Sequence, residues 1–164
     1  MDFAQADALN EAIRAIGIRH RALAMAGLSP FGVHPGHKLI LLELEAAGPR
    51  TQAQLATASG YEPPTITLSV RQLEEAGLVV RRPSATDKRA TVVELSGQGR
   101  ALLPELKAAW CRVAEQAVAG LTSTSVDELT DVLVDLASSL SAIETPATDI
   151  PRYAGGPVAP KTAP

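Results

Sequence analysis

Four basic side chains and one carboxylate lie within residues 81–89 of this chain: Arg81, Arg82, Asp87, Lys88 and Arg89. Lysine and arginine bind phosphate, and arginine also enters the minor groove of DNA, where the electrostatic potential is strongly negative. The carboxylate can hold one arginine in a bidentate pair. Although the chain has a net charge of −3, charges more than about 10 Å away are largely screened at physiological salt. The local basic group therefore predicts contact with nucleic acid, with a merely solvated hairpin as the alternative.

These basic residues belong to a predicted β-hairpin. Residues 78–82 form a short strand, residues 83–88 a polar loop, and residues 89–95 an alternating return strand. The loop places Lys88 and Arg89 at the tip, where they can reach a groove of DNA. The hairpin is therefore interpreted as the wing of a DNA-binding domain.

A helix that can enter the major groove precedes the hairpin. Pro63 and Pro64 suit its first turn, it runs to Ala76, and Gly77 provides the left-handed residue that ends it. Its inward positions are Ile66, Val70 and Leu73, spaced by four and three residues. The outward positions are then Thr65, Thr67, Leu68, Ser69, Arg71 and Gln72.

A shorter helix over residues 52–58, capped by Thr51 and followed by the turn Ser59–Gly60, completes a predicted helix-turn-helix. Free backbone amides at its start suit phosphate contacts, and Arg71 can reach phosphate or guanine. The predicted DNA-binding residues are Thr51, Gln52, Pro64, Thr65, Thr67, Leu68, Arg71, Arg82, Ser84, Asp87, Lys88 and Arg89.

Helices flank this core on both sides. One is predicted over residues 2–26, a second begins at His34-Pro35 and ends at Gly48-Pro49, a fifth runs from a Ser96 cap to about residue 119, and a sixth follows residues 122–125. The predicted fold class is mainly α with a small β-hairpin: a winged helix-turn-helix core over residues 34–95, dimerisation helices over residues 1–28 and 96–144, and a flexible or extended Pro-rich tail over residues 145–164.

Composition narrows the functional classes. Apolar residues make up 46% and aromatics only 3%, which favours helices packed through aliphatic side chains. The chain has a single cysteine, no signal peptide pattern and no long apolar run, so we expect a cytoplasmic protein without a membrane partner. We find no Gly-rich phosphate loop, no nucleophile beside a base and no paired carboxylates in an apolar setting. The sequence therefore predicts no enzyme, no catalytic residue and no cofactor.

The sequence in residues 51–100, TQAQLATASGYEPPTITLSVRQLEEAGLVVRRPSATDKRATVVELSGQGR, resembles the MarR family of bacterial regulators. Its Asp87-Lys88-Arg89 matches the family's Asp-x-Arg wing signature, and Ser96-x-x-Gly99 matches the helix start that follows. The resemblance covers residues 3–143. At Leu68 the family often has a basic or polar residue, so a leucine there could touch a thymine methyl and alter affinity or site choice.

The resemblance implies a homodimer whose terminal helices interlock and whose two recognition helices bind a pseudo-palindromic double-stranded DNA operator. It also implies a small-molecule effector, often phenolic or lipophilic, which would release DNA from a repressor. The alternative is a winged-helix protein-interaction module without specific DNA readout.

The family's effector pocket lies between the dimer helices and the DNA-binding core, which makes His20, His37 and Trp110 candidate ligand-binding residues. A zinc site is the alternative for the histidines. His34 and His37 would begin it, His20 could join them, and it would need a further protein ligand such as Glu43. We favour a helix-capping His34 and a partly buried His37, and predict no metal. Cys111 could sense oxidants, but a small apolar role near the dimer helices is favoured.

Overall fold

The computed structural model describes residues 1–84 and 91–143, which form six α-helices, a 3-10 turn and a two-stranded hairpin. The elements are, in chain order, α1 (Phe3–Leu28), the 3-10 turn (Ser29–Phe31), α2 (Pro35–Ala47), α3 (Gln52–Ser59), α4 (Pro63–Glu75), β1 (Val79–Pro83), β2 (Thr91–Leu95), α5 (Gly97–Val118) and α6 (Val126–Ser141). The predicted fold class, mainly helical with a small hairpin, is confirmed. The predicted tail over residues 145–164 lies outside the described residues.

Side-chain caps set where the helices begin. Thr51 accepts a hydrogen bond from the backbone N–H of Gln54, and the side chain of Gln54 returns to the Thr51 backbone. Ser96 and Ser125 cap α5 and α6 in the same sense. Such caps satisfy backbone donors that have no partner inside the helix. The helix starts predicted at Thr51 and Ser96 are confirmed, and α6 begins after the last residue of the predicted cluster 122–125.

The hydrophobic core forms under the recognition helix. Ile66, Val70 and Leu73 of α4 are at most 1% exposed, as predicted, and pack with Ile40 and Leu41 of α2. The same core extends into the end of α1 and the first half of α5 through Leu28, Leu103, Leu106 and Ala109. The helices that flank the winged part therefore share its core at one end.

The wing is held at its base by a third backbone segment that the sequence pattern did not reveal. β1 and β2 pair antiparallel from Val79↔Leu95 to Pro83↔Thr91. Arg50, between α2 and α3, also exchanges two backbone hydrogen bonds with Val93, at 3.0 and 2.7 Å. Pro83, expected in the loop, is the last residue of β1, a position where the missing N–H of proline is tolerated.

Two helices leave apolar surface uncovered. α6 has no buried residue, and α1 buries only Ala24 and Leu28 over its 26 residues. Ala117, near the end of α5, is also exposed. The larger exposed apolar side chains on these two helices are Phe3, Leu9, Ile16, Ile18, Met25, Val126, Val132, Leu133, Val134 and Leu140. A single copy of the chain therefore does not cover its own hydrophobic faces.

Candidate nucleic-acid interface

The recognition helix α4 presents a polar strip on the side away from the core. Pro64, Thr67 and Arg71 are exposed, whereas Thr65 and Leu68 are half-buried. Leu68 is thus less exposed than its predicted outward position suggested. The Nε atom of Arg71 lies 3.5 Å from a carboxylate oxygen of Glu75, and both side chains are about two-thirds exposed. An exposed pair of this kind contributes little stability, so the guanidinium can exchange the carboxylate for phosphate.

Two predicted DNA-binding residues from different helices meet at the start of α4. The hydroxyl of Thr67 lies 2.9 Å from Gln52 Oε1 and 3.0 Å from the carbonyl oxygen of Pro63. This contact joins the N-terminus of α3, where Thr51 is the cap, to the outward side of α4. The free amides of α3 and the polar strip of α4 are therefore held in one surface.

Gln72 is a correction to the predicted outward set. It is half-buried, and its Oε1 lies 3.0 Å from Nε2 of His37, a residue of α2 that is 4% exposed. The helical geometry explains the difference, because residue 72 lies next to Leu73 on the border of the buried face. Gln72 thus fastens α4 to α2 instead of facing outward.

The described part of the wing separates its two arginines. Arg81 is one-third exposed and pairs with Glu74 of α4 at 3.2 Å, while Arg82 is 65% exposed and pairs with Glu94 of β2. Alternation along β1 accounts for this, since neighbouring side chains point to opposite faces. Arg82 and the half-buried Ser84 remain near the end of the described strand. Asp87, Lys88 and Arg89 lie outside the described residues, so their DNA contacts stay predictions.

A second polar cluster surrounds the chain's single tryptophan. The His20 ring meets Trp110 edge-on at 6.0 Å between centroids, and the Nζ atom of Lys38 lies 3.6 Å from the Trp110 ring centroid. Lys38 is only 7% exposed, and burial lowers the pKa of its ammonium group. The structure therefore brings together two of the three predicted ligand-binding residues and adds Lys38. The sequence signal that could have identified Lys38 is its position one turn into an apolar helix, next to His37 and three residues before Leu41.

His37, the third predicted ligand residue, belongs instead to the cap of α2. His34 is the N-cap, and its Nδ1 accepts a hydrogen bond from the Gly36 N–H at 3.1 Å. Burial, and secondarily the charge of Arg21, lowers the pKa of His34. Burial also lowers the pKa of His37, partly offset by its hydrogen bond with Gln72. The predicted capping role of His34 is confirmed, and His37, predicted to be partly buried, is buried more completely, at 4% exposure.

Three further observations concern alternatives raised by the sequence. Across residues 1–84 and 91–143, no three His, Cys, Asp or Glu side chains are grouped closely enough to hold a metal ion. Cys111 is a free, exposed thiol. In the same ranges, no helix is both long and apolar enough to cross a membrane.

Comparison with known proteins gives a consistent result. A sequence model of the MarR family matches residues 31–90. A probable transcriptional regulator from Pseudomonas aeruginosa is 32% identical with a TM-score of 0.69, covering 80% of this chain and 96% of that one. A MarR-family regulator from a Rhodococcus species is 26% identical with a TM-score of 0.69, covering 83% and 96%. BpsR from Bordetella bronchiseptica, whose DNA binding is regulated by 6-hydroxynicotinic acid, is 18% identical with a TM-score of 0.68, covering 79% and 98%.

Proposed function

The chain belongs to the MarR family of transcriptional regulators, and on this premise we propose that it is a cytoplasmic homodimeric repressor, released from a specific operator by a small molecule. It acts by binding DNA and not as an enzyme. The observation that carries the proposal is the surface made by α3 and α4, where Gln52 and Thr67 are in contact and Arg71 is exposed.

The two-fold symmetry of the proposed dimer predicts an operator made of two half-sites. A two-fold dimer presents the same helix twice, so α4 from each copy meets a half-site about 34 Å from the other, one turn of B-DNA. The uncovered apolar faces of α1 and α6 support the dimer, because groups of exposed large apolar side chains mark an interaction site. The wing residues Lys88 and Arg89 then contact the minor groove beside each half-site.

Replacing Arg71 by alanine is expected to weaken operator binding about tenfold or more and to flatten its salt dependence, because a lost phosphate contact lowers the slope by about one unit. Fluorescence anisotropy with the chain's own upstream DNA, in a salt series beside an unrelated duplex, measures both. Arg14→Ala is the matched control, because Arg14 is an equally exposed arginine paired with a glutamate, on α1.

The wing is tested in the same titration. Arg89→Ala is expected to reduce the salt slope, and Arg89→Glu to abolish operator binding. One result would contradict the repressor proposal and favour the interaction-module alternative. In that result the unmodified protein binds both duplexes weakly and equally, and Arg89→Glu does not change this binding.

For the effector we propose an aromatic carboxylate bound beside Trp110. A buried ammonium such as that of Lys38 gains stability from a carboxylate partner, and the indole offers a face or edge for stacking. His20 contacts the same ring. The small molecule that regulates BpsR, 6-hydroxynicotinic acid, is an aromatic acid of this class. Binding must favour the DNA-incompetent arrangement, and a coupling of about 1–3 kcal/mol suffices for release.

We expect Lys38→Met to weaken binding of an aromatic carboxylate such as salicylate about tenfold, while binding of the matching uncharged amide stays unchanged, because only the carboxylate needs the ammonium group. Trp110 is the only tryptophan, so its intrinsic fluorescence reports the binding directly. Lys107→Met removes a half-exposed lysine paired with Glu45 and serves as the control. Equal losses in the two variants, or an equal loss for the amide, would refute the site.

A further inference from the structure

We infer that His37 is a positioning residue for the recognition helix: its Nε2–H holds α4 through Gln72, and its neutral ring completes the α2 cap that orients it. The inference rests on the proposed DNA-binding function, because α4 is the element that it places. It concerns a contact between α2 and α4 that no DNA or effector needs to touch.

The hydrogen bonds around the ring define its tautomer. Nε2 of His37 lies 3.0 Å from Gln72 Oε1, so it must carry a proton and donate. Nδ1 of His37 accepts from the backbone N–H of His34 at 3.5 Å, a long bond that closes the α2 capping box. A neutral imidazole can donate at one nitrogen and accept at the other, whereas an imidazolium can only donate. Protonation therefore places N–H against N–H at the start of α2.

His34 depends on the same protonation state. Its Nδ1 accepts from Gly36, and this bond is also lost when that nitrogen gains a proton. The rings of His34 and His37 lie 5.8 Å apart, so two positive charges there would repel each other. The backbone N–H groups at the start of a helix also oppose a cation. The two imidazoles therefore lose the cap together when they become charged.

Gln72 connects the cap of α2 to the DNA-facing side of α4. It directly follows Arg71 and lies one turn after Leu68, so its bond to His37 holds this side of α4 against α2. Loss of the bond leaves the buried residues of α4 in place but loosens the contact between α2 and α4 beside the outward strip. The DNA-facing side chains next to Gln72 then lose part of their support.

The groups that face the cap come from each neighbouring element. α1 contributes Arg21, whose charge disfavours protonation of His34, and the turn before α4 contributes Tyr61, close to Gly36. α2 itself contributes Lys38. Farther along α2, Glu45 pairs with Lys107 of α5 and Glu43 pairs with Arg50 next to β2. These two carboxylates are thus engaged farther along the helix, and the charge of Arg21 near the cap favours a neutral His34.

The direction of the pH effect follows from the lowered pKa values of His34 and His37. The unfolded or displaced state binds more protons than the native cap, so the cap is fully present above a pH of about 6.5 and is lost as the pH falls through the lowered pKa values of the two rings. The donation from Nε2 of His37 to Gln72 survives protonation. Surface protonation has the opposite effect on DNA binding, because added positive charge strengthens attraction to phosphate.

The first arm of the test measures the affinity for operator DNA and for an unrelated duplex by fluorescence anisotropy, between about pH 7.5 and about pH 5.5 at constant ionic strength. Operator binding should fall on acidification because the α2 cap is lost, while binding to the unrelated duplex is retained or rises because it needs only positive charge. His37→Gln keeps a donor for Gln72 without a titrating ring at position 37, so it should bind well and show a flatter pH profile, in which only His34 still titrates. His37→Ala should bind weakly at both pH values, and Gln116→Ala, on exposed α5 surface, should match the unmodified protein.

The second arm needs no DNA. Amide hydrogen exchange of α4 should speed up in His37→Ala at neutral pH, remain slow in His37→Gln, and speed up in the unmodified protein at acid pH after correction for the intrinsic exchange rate. Unchanged α4 protection in His37→Ala would overturn the inference. If α4 responds as expected but the operator is not preferred at neutral pH, the positioning role stands and the proposed function fails.

Discussion

Gly99→Ala is expected to lower the free energy of unfolding by about 3 kcal/mol, the upper end of the cost of overpacking. A Cβ atom at this position would overlap the carbonyl oxygen of Leu78 and lie 3.0 Å from its carbonyl carbon. The obstacle is backbone, and Leu78 O is already held by the N–H of Ser96 at 3.0 Å. Neither α5 nor the start of the wing can move without breaking the Ser96 cap.

Urea denaturation followed by circular dichroism measures this loss at fixed protein concentration. Gly97→Ala is the matched control, because it lies two residues away in the same first turn of α5 and nothing lies within 4 Å of an added Cβ. We expect it to be neutral or slightly stabilising, since alanine is the better helix former. Equal midpoints for the two variants would show that the contact between α5 and Leu78 relaxes freely.

Leu133→Glu is expected to raise the dissociation constant of the proposed homodimer about a hundredfold, which corresponds to about 3 kcal/mol, because the dimer would bury a carboxylate without a partner. Leu133 lies on the apolar side of α6 with Val126, Leu129, Leu136 and Leu140. No residue of α6 is buried in one copy of the chain, so the monomer itself should fold normally. Operator affinity should fall with the loss of the dimer.

Sedimentation velocity over a concentration series measures the dissociation constant, and circular dichroism checks the fold. Ser138→Glu adds the same charge to the opposite, polar side of α6 and should leave the dimer intact. A Leu133→Glu protein that remains dimeric at the lowest concentration would place the dimer interface elsewhere.

The helix-turn-helix was predictable because local rules act on it without conflict. The Thr51 cap, the prolines at the start of α4, the spacing of Ile66, Val70 and Leu73, and the left-handed Gly77 each describe interactions within a few residues. Each of these agrees with the global packing, so pattern and structure coincide.

The contacts between elements were not predictable in the same way. The strand-like pairing of Arg50 with Val93 joins residues far apart in the chain and leaves no periodic pattern. Lys38 resembles a surface lysine in sequence, and only the packing of α2 against α5 places its ammonium group over Trp110. Gln72 resembles an outward residue until α2 approaches the border of the buried face of α4.

The sequence by itself therefore determined the family, the order and type of the elements, and the outward strip of α4. These features depend on short-range hydrogen bonds and helical periodicity, which follow from the spacing of nearby residues. The tertiary structure alone decided which polar side chains do not belong to that strip, which cation lies over the indole, and which apolar faces of α1 and α6 stay exposed. Those outcomes depend on distances between helices, and such distances arise from the packing of side chains distant in sequence, which no local pattern encodes.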